Sequence, residues 1–266
     1  MASFQQLIEA ADVPYRCLHW QGIEAYVFQR LPRIPLEELS RDYLSAEEQQ
    51  RADRYYRSRD QVKFRWRRML LRTLLAERLS CRPSELTFCT NQWGKPRVGV
   101  RAGSPSKPAS RLPAVNFNVS HSDEALAIGI CAVMPSKQPQ PSEAWQIGID
   151  IEREQAMADL AGVARMIMHP PEMEQWLALP QSSRVDWFFE LWAEKEAVLK
   201  STGYGLSLEP HTFAVVPHRA PWQVLELSLS GPDQCPWQVE SVLCRDFKPF
   251  SVALARARPG LIEVSR

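Results

Sequence analysis

The chain has 266 residues, 45% of them apolar and 24% charged, which excludes a wholly disordered chain and allows one large domain or two smaller ones. Its 32 basic and 31 acidic side chains leave a net charge of +1, which argues against binding nucleic acid through global charge but not against a local basic site. No run approaches the roughly 20 apolar residues of a membrane helix. The first residues lack a signal-peptide pattern, and the six cysteines form neither CxxC nor a zinc spacing. The thiols are therefore expected to be reduced and mostly buried, in a cytoplasmic protein.

The first predicted element is a strand around 24–30 (EAYVFQR), ended by Pro32. Ser45-Ala46-Glu47-Glu48 reads as a capping box, with a helix through about Tyr56. A second helix runs from near Ser58 to about Leu79, with Val62, Trp66, Met69, Thr73 and Ala76 on one face. Between Arg51 and Arg78 stand ten basic residues against three acidic ones (Asp53, Asp60, Glu77), either a solvated face or a phosphate-binding surface. Short strands LTFC and RVGV flank a turn at 91–96, and 101–113 is a Pro/Ser-rich loop. Strands follow at 115–119 and 126–133, then a Pro-rich linker candidate at 134–143 and a strand at 145–152. Helices are expected around 155–168, 171–178 and roughly 183–201, the last ended by Gly203 in a left-handed cap. The strand candidates FAVV, WQVLELSL, WQVESVLC and FSVALAR complete the chain. This mixture is α+β rather than a Rossmann sheet, and neither GxGxxG nor GxxxxGK[ST] is present.

Three short motifs carry candidate chemistry. In Asp150-Ile151-Glu152 a strand turns both carboxylates to one side and Ile149 and Ile151 to the other. Such a pair is either a solvated edge or a site for a hard cation such as Mg²⁺. Glu196 and Lys200, in Trp192-Ala193-Glu194-Lys195-Glu196-Ala197-Val198-Leu199-Lys200, lie one helical turn apart. They form either an ordinary intrahelical pair or a metal ligand beside a phosphate-binding lysine. Ser120 and His121 follow a strand in Asn116-Phe117-Asn118-Val119-Ser120-His121-Ser122, as a plain turn, an anion-binding pair or a base. No Gly-x-Ser-x-Gly elbow supports a serine hydrolase.

Taken in order, the basic helix region, Trp93-Gly94-Lys95-Pro96, Phe117-Asn118-Val119-Ser120-His121-Ser122, Gly148-Ile149-Asp150-Ile151-Glu152 and the segment from Trp192 to Lys200, continued by Gly203-Tyr204-Gly205-Leu206-Ser207-Leu208, resemble the surfactin-synthetase-type 4′-phosphopantetheinyl transferases over roughly residues 40–215. The resemblance implies a pseudo-dimer of two similar α+β halves, here 1–141 and 142–266, with coenzyme A in the cleft between them. It implies transfer of the phosphopantetheine arm of coenzyme A to a serine of an acyl or peptidyl carrier protein of fatty-acid, polyketide or peptide synthesis, releasing 3′,5′-ADP. By the same resemblance Asp150, Glu152 and Glu196 are Mg²⁺ ligands, Lys200 meets a phosphate, and Ser120 and His121 bind the pyrophosphate. Lys95 and Pro96 line the nucleotide end, with Lys95, Arg51 and Lys63 near the 3′-phosphate. The base is Glu196, directly or through a metal-held water that it orients, with Glu172 as a second candidate whose other reading is a helix-dipole acid. Glu48 stands where some members are basic, so the 3′-phosphate site is expected to be built differently. A monomer that binds neither nucleic acid nor membrane is expected. The alternatives are a non-enzymatic module that presents the basic helices to RNA, DNA or an acidic protein, and a Mg²⁺-dependent phosphohydrolase.

Overall fold

The computed structural model describes residues 3–32, 41–101, 114–133, 145–215 and 223–259. Helix α1 (Phe4–Ala11) precedes the hairpin β1 (Arg16–Trp20) and β2 (Ile23–Phe28). Helices α2 (Ala46–Asp53) and α3 (Ser58–Leu79) follow, then a second hairpin, β3 (Leu86–Thr90) and β4 (Pro96–Val100). Strands β5 (Ala114–Ser120) and β6 (Leu126–Val133) join the first hairpin in an antiparallel sheet of order β1-β2-β6-β5.

The second half repeats this plan. After β7 (Gln146–Arg153) come α4 (Leu160–Ile167), α5 (Pro170–Ala178) and α6 (Arg184–Thr202). Strands β8 (Leu225–Ser230), β9 (Pro236–Cys244) and β10 (Phe250–Pro259) complete an antiparallel sheet of order β7-β10-β9-β8. Each half is thus a four-stranded sheet with a long helix on one face, and the fold is the expected α+β pseudo-dimer. The proposed boundary at 141/142 lies outside the described residues, as do most of the two Pro-rich stretches.

Side-chain alternation explains how the halves join. Tyr26, Phe28, Leu126, Ile128 and Ile130 pack with α1 and α3, whereas Ile23, Ala25, Val27 and Ala127 turn to the other face. There they meet Ile147, Ile149 and Ile151 of β7 and Val252 and Leu254 of β10. A Cβ built on Gly129 would lie 3.6 Å from the Ile149 Cβ, so small residues of the first sheet accept large ones of the second. The polar residues of β5 also reach β7. Asn116 Nδ2 donates to the Trp145 carbonyl (2.8 Å), and Asn118 Oδ1 accepts from the Ile149 N–H (3.0 Å). These amides lace two strand edges that share no ladder.

The capping box forms as expected, Ser45 accepting from the Glu48 N–H and Glu48 accepting from the Ser45 N–H. The helix it starts stops at Asp53 instead of Tyr56, and the Gln61 side chain takes the Tyr55 carbonyl at the turn. Gly203 ends α6 at φ 82°. Helix α1 and strand β1 were not anticipated. Phe213–Val215, expected within a strand, is not one, because buried side chains take its backbone: Lys195 donates to the Phe213 carbonyl and Glu172 accepts from the Val215 N–H. The six cysteines are free, but only Cys244 is buried and Cys89 is exposed, so the expectation of mostly buried thiols fails.

Candidate active site

Because Ile147, Ile149 and Ile151 turn towards the first sheet, Gly148, Asp150 and Glu152 face α6. Gly148 sets how close strand and helix come. A Cβ there would lie 2.0 Å from the Ala197 carbonyl oxygen and 2.6 Å from the Ser201 nitrogen, so only glycine permits this approach. One turn along, α6 presents Glu196 and Lys200 to Asp150.

Lys200 Nζ stands 2.5 Å from Asp150 Oδ1, 3.0 Å from Ser120 Oγ and 3.9 Å from a Glu196 oxygen. Ser120 Oγ donates to Asp150 Oδ1 (2.6 Å), and Ser122 Oγ donates to Glu152 Oε2 (2.9 Å). Two carboxylates therefore lie within ion-pair distance of one ammonium, and the charge of a third, Glu152, also acts on it. Burial raises the Glu152 pKa to about 7, helped by Asp150 and Glu196 and opposed by Ser122 and Lys200. Burial likewise raises Glu196, with Lys200 opposing it and Asp150 adding to it. For Lys200 burial works against the charge, but Asp150, Glu196 and Glu152 outweigh it and hold the ammonium above its ordinary value.

Asp150 is 1% exposed, and its Oδ2 is buried without a hydrogen-bond partner. A buried carboxylate oxygen left unpaired amid excess negative charge fits a hard cation. Asp150, Glu152 and Glu196 are the residues that could hold it. Among the described residues no three acidic, imidazole or thiol groups already stand as a ligand set; the Lys200 ammonium stands among the acids instead.

Beside Lys200 opens a pocket of about 220 Å³ lined by Trp93, Gly94, Lys95, Pro96, Asn118 and Gly203, among others. Lys95 shapes its wall. Its ammonium donates to the Ser201 carbonyl (2.8 Å), the Ile147 carbonyl (3.1 Å) and Gln146 Oε1 (3.2 Å), joining the β3–β4 turn to the second half. Burial, and then Arg97, lowers its pKa to about 7. Pro96 lies at the same wall.

His121 is exposed just beyond Ser120. Local desolvation, then the charges of Arg67 and Lys200, hold its imidazole below the ordinary value. Lys63 reaches the same turn, 3.5 Å from Asp123 Oδ1 and 3.9 Å from Glu124 Oε1. Arg51 lies exposed on α2, its guanidinium 5.3 Å from the Phe64 ring centre. Much of the basic run is internally neutralised: Arg65 pairs with Asp53, Arg68 and Arg72 with Glu48, and Arg78 with Glu24. Glu48, the residue that departs from the basic pattern, is thus the counter-ion of two α3 arginines.

The structure does not bring Glu172 to this cluster. It is 2% exposed, with one oxygen 2.9 Å from Lys195 Nζ and accepting from the His169 N–H, and the other accepting from the Val215 N–H. From the sequence, neither Ser122 nor Asn118 is named as a site residue, although both stand in the quoted motif. Asn118 is two residues before Ser120 on β5, which was the available signal; Ser122 lies beyond the strand's end.

Residues 37–131 match the model of the 4′-phosphopantetheinyl transferase N-terminal domain, and residues 146–255 match that of the 4′-phosphopantetheinyl transferase superfamily. The chain is 32% identical over 204 residues to the 4′-phosphopantetheinyl transferase HetI of Nostoc sp., covering 74% of this chain and 78% of that protein. It is 34% identical over 164 residues to a putative 4′-phosphopantetheinyl transferase of Synechocystis sp., covering 62% of this chain and 58% of that protein. It is 28% identical over 191 residues to the 4′-phosphopantetheinyl transferase Sfp of Bacillus subtilis, with 72% of each chain covered. Two family models in order, one on each half of the pseudo-dimer, and relatives matched across both place the chain in the 4′-phosphopantetheinyl transferase family.

Proposed function

We propose that the protein transfers the 4′-phosphopantetheine arm of coenzyme A to a serine hydroxyl of an apo acyl or peptidyl carrier protein, giving the holo-carrier and 3′,5′-ADP, with Mg²⁺ held by Asp150, Glu152 and Glu196. The observation that carries this reading is the surplus of carboxylates around Lys200, with a buried Asp150 oxygen that has no partner. When bound, the ion supplies charge compensation for the pyrophosphate oxygens.

The chain's own residues supply the rest. The serine oxygen forms a bond to the phosphorus that bears the pantetheine arm, and the bond from that phosphorus to the bridging oxygen breaks. The electron pair leaves with 3′,5′-ADP. Lys200 stabilises the departing charge. Glu196 takes the serine proton, directly or through a water that it orients. Ser120 and His121 bind the pyrophosphate. Lys95 and Pro96 shape the nucleotide end, with Arg51 and Lys63 towards the 3′-phosphate. Glu172 takes no part in proton transfer in this reading, since both its oxygens are committed to Lys195 and backbone N–H groups.

We further read the protein as a cytoplasmic monomer divided near 141/142, its cleft completed within one chain. Among the described residues no helix is long and apolar enough to cross a membrane. A module that binds through displayed basic helices is not favoured, because Arg65, Arg68, Arg72 and Arg78 are spent on internal carboxylates.

Intact-mass analysis of an apo carrier protein incubated with this protein, coenzyme A and Mg²⁺ tests the reading. The carrier should gain one phosphopantetheine, and the gain should vanish with EDTA or Asp150→Ala. No gain across fatty-acid, polyketide and peptide carriers would overturn it. Carriers of this class are acidic, so the Michaelis constant for the carrier should rise with salt.

A further inference from the structure

We propose that Arg67 is a phosphate-binding residue of the coenzyme A site, set between His121 and Lys63. This rests on the transferase reading above. Arg67 differs from the other buried or half-buried cations of α3. Arg65, Arg68, Arg72, Arg78 and Lys63 each have a carboxylate within ion-pair distance, whereas Arg67 has none among the described residues. Its Nη2 donates to a neutral acceptor, the Asp123 carbonyl (2.8 Å), and its Nε is buried with no partner. Desolvation dominates its electrostatics, and Tyr55, Asp60 and Asp123 act only at longer range. A guanidinium that gives up water without gaining a carboxylate is poorly compensated in the free protein.

Its position says which anion would compensate it. The Asp123 carbonyl that holds Arg67 belongs to the turn just after His121, whose imidazole lies within reach of the Arg67 field. Lys63 reaches the same carbonyl at 3.4 Å. Two cations and an imidazole thus border one turn at the end of β5, on the strand whose Ser120 contacts Asp150 and Lys200. A planar guanidinium with unused N–H donors suits two phosphate oxygens at once, which the Lys63 ammonium cannot match. With Arg68 and Arg72 engaged by Glu48, Arg67 is an α3 guanidinium left available to the ligand. Coenzyme A offers two such groups, the 3′-phosphate and the pyrophosphate.

Binding is measured by calorimetry with coenzyme A and with 3′-dephospho-coenzyme A, using wild type, Arg67→Gln and Arg67→Lys, with melting curves of each ligand-free protein. Arg67→Gln should weaken coenzyme A at least tenfold while leaving the ligand-free melting temperature unchanged or raised, and Arg67→Lys should fall between. A loss seen only with coenzyme A assigns Arg67 to the 3′-phosphate; an equal loss with both ligands assigns it to the pyrophosphate. A change under twofold with both ligands overturns the proposal. So does a lowered melting temperature that lysine restores without any change in affinity, which marks a structural arginine. If wild type binds neither ligand, the transferase reading itself fails and the inference falls with it.

Discussion

Helix α6 carries two clusters of acid and lysine on different faces, and they are built on opposite principles. On one face Lys195 is fully buried. It pairs with Glu172 and donates to the Pro210 and Phe213 carbonyls, while both Glu172 oxygens accept backbone N–H groups. Every donor and acceptor has a partner and the charges cancel. On the other face Asp150 and Glu196 pair with Lys200 while Glu152 adds a third acid, one Asp150 oxygen has no partner, and the Glu152 pKa is pushed to about 7. A balanced, satisfied network fixes one structure, whereas an unbalanced one stores an electrostatic preference for something not yet bound. The Lys195 cluster ties α5 and the 208–215 segment to α6; the Lys200 cluster is where chemistry is expected.

The sharpest way to break the comparison is to unbalance the balanced side. Lys195→Met leaves Glu172 without its counter-ion at 2% exposure. Removing one partner of a buried pair costs about 3–5 kcal/mol. Chemical denaturation should show a loss of that order, and adding Glu172→Gln should recover part of it. A loss well under 1 kcal/mol would show that water or a proton compensates Glu172 and that the pair is not structural.

Gly148→Ala attacks the junction between β7 and α6. The new Cβ meets the Ala197 carbonyl at 2.0 Å, so strand and helix must part. Overpacking of this kind costs about 1–3 kcal/mol. Turnover should fall further than stability, because the same displacement separates Asp150 and Glu152 from Glu196 and Lys200. Melting curves and carrier mass shifts on one preparation test this, and a variant that melts lower but turns over normally would refute it.

These junctions explain what could be read from the chain beforehand. The motifs around Asp150 and Glu196 are legible because alternation on a strand and a four-residue step on a helix fix which side chains share a face. Long α3, and α6 with its Gly203 cap, are legible for similar local reasons. Glu172 was not. A capping-box acid at the start of α5 looks the same whether solvated or buried, and only tertiary packing delivers Lys195 to it. Lys95 lines the pocket beside Lys200, but that its ammonium ends on carbonyls from 52 and 106 residues away is not legible in a four-residue turn. Strand β1 was missed because its exposed, intermediate and buried positions follow no clean alternation.

Acidity offers a finer probe of the unbalanced side. Glu152 has a folded pKa of about 7 against an ordinary 4.5, so the folded state binds its proton more tightly than the unfolded chain. The associated stability is fully present below about pH 4.5 and is lost as pH rises through about 7. In EDTA, wild type should lose on the order of 1–3 kcal/mol relative to Glu152→Gln across that window. Parallel pH profiles for the two proteins would show that no proton is held there.

Asp150→Asn should give the smallest change in ligand-free stability, and the reason completes the comparison. Asparagine keeps an acceptor for Ser120 and Lys200 and turns an amide donor towards the space where the unpartnered Oδ2 stood. The weakened bond to Lys200, worth about 1.5–3 kcal/mol in its charged form, is offset by relief of repulsion on Glu152 and Glu196, both of which Asp150 raises. The net shift in EDTA should stay under about 1 kcal/mol. Divalent cation should then separate the two proteins. Wild type gains about 2.7 kcal/mol at a hundredfold excess over its dissociation constant, whereas the variant gains little and transfers no phosphopantetheine. A large loss of stability in EDTA would instead make Asp150 a structural partner of Lys200, and the two faces of α6 would then differ in degree rather than in kind.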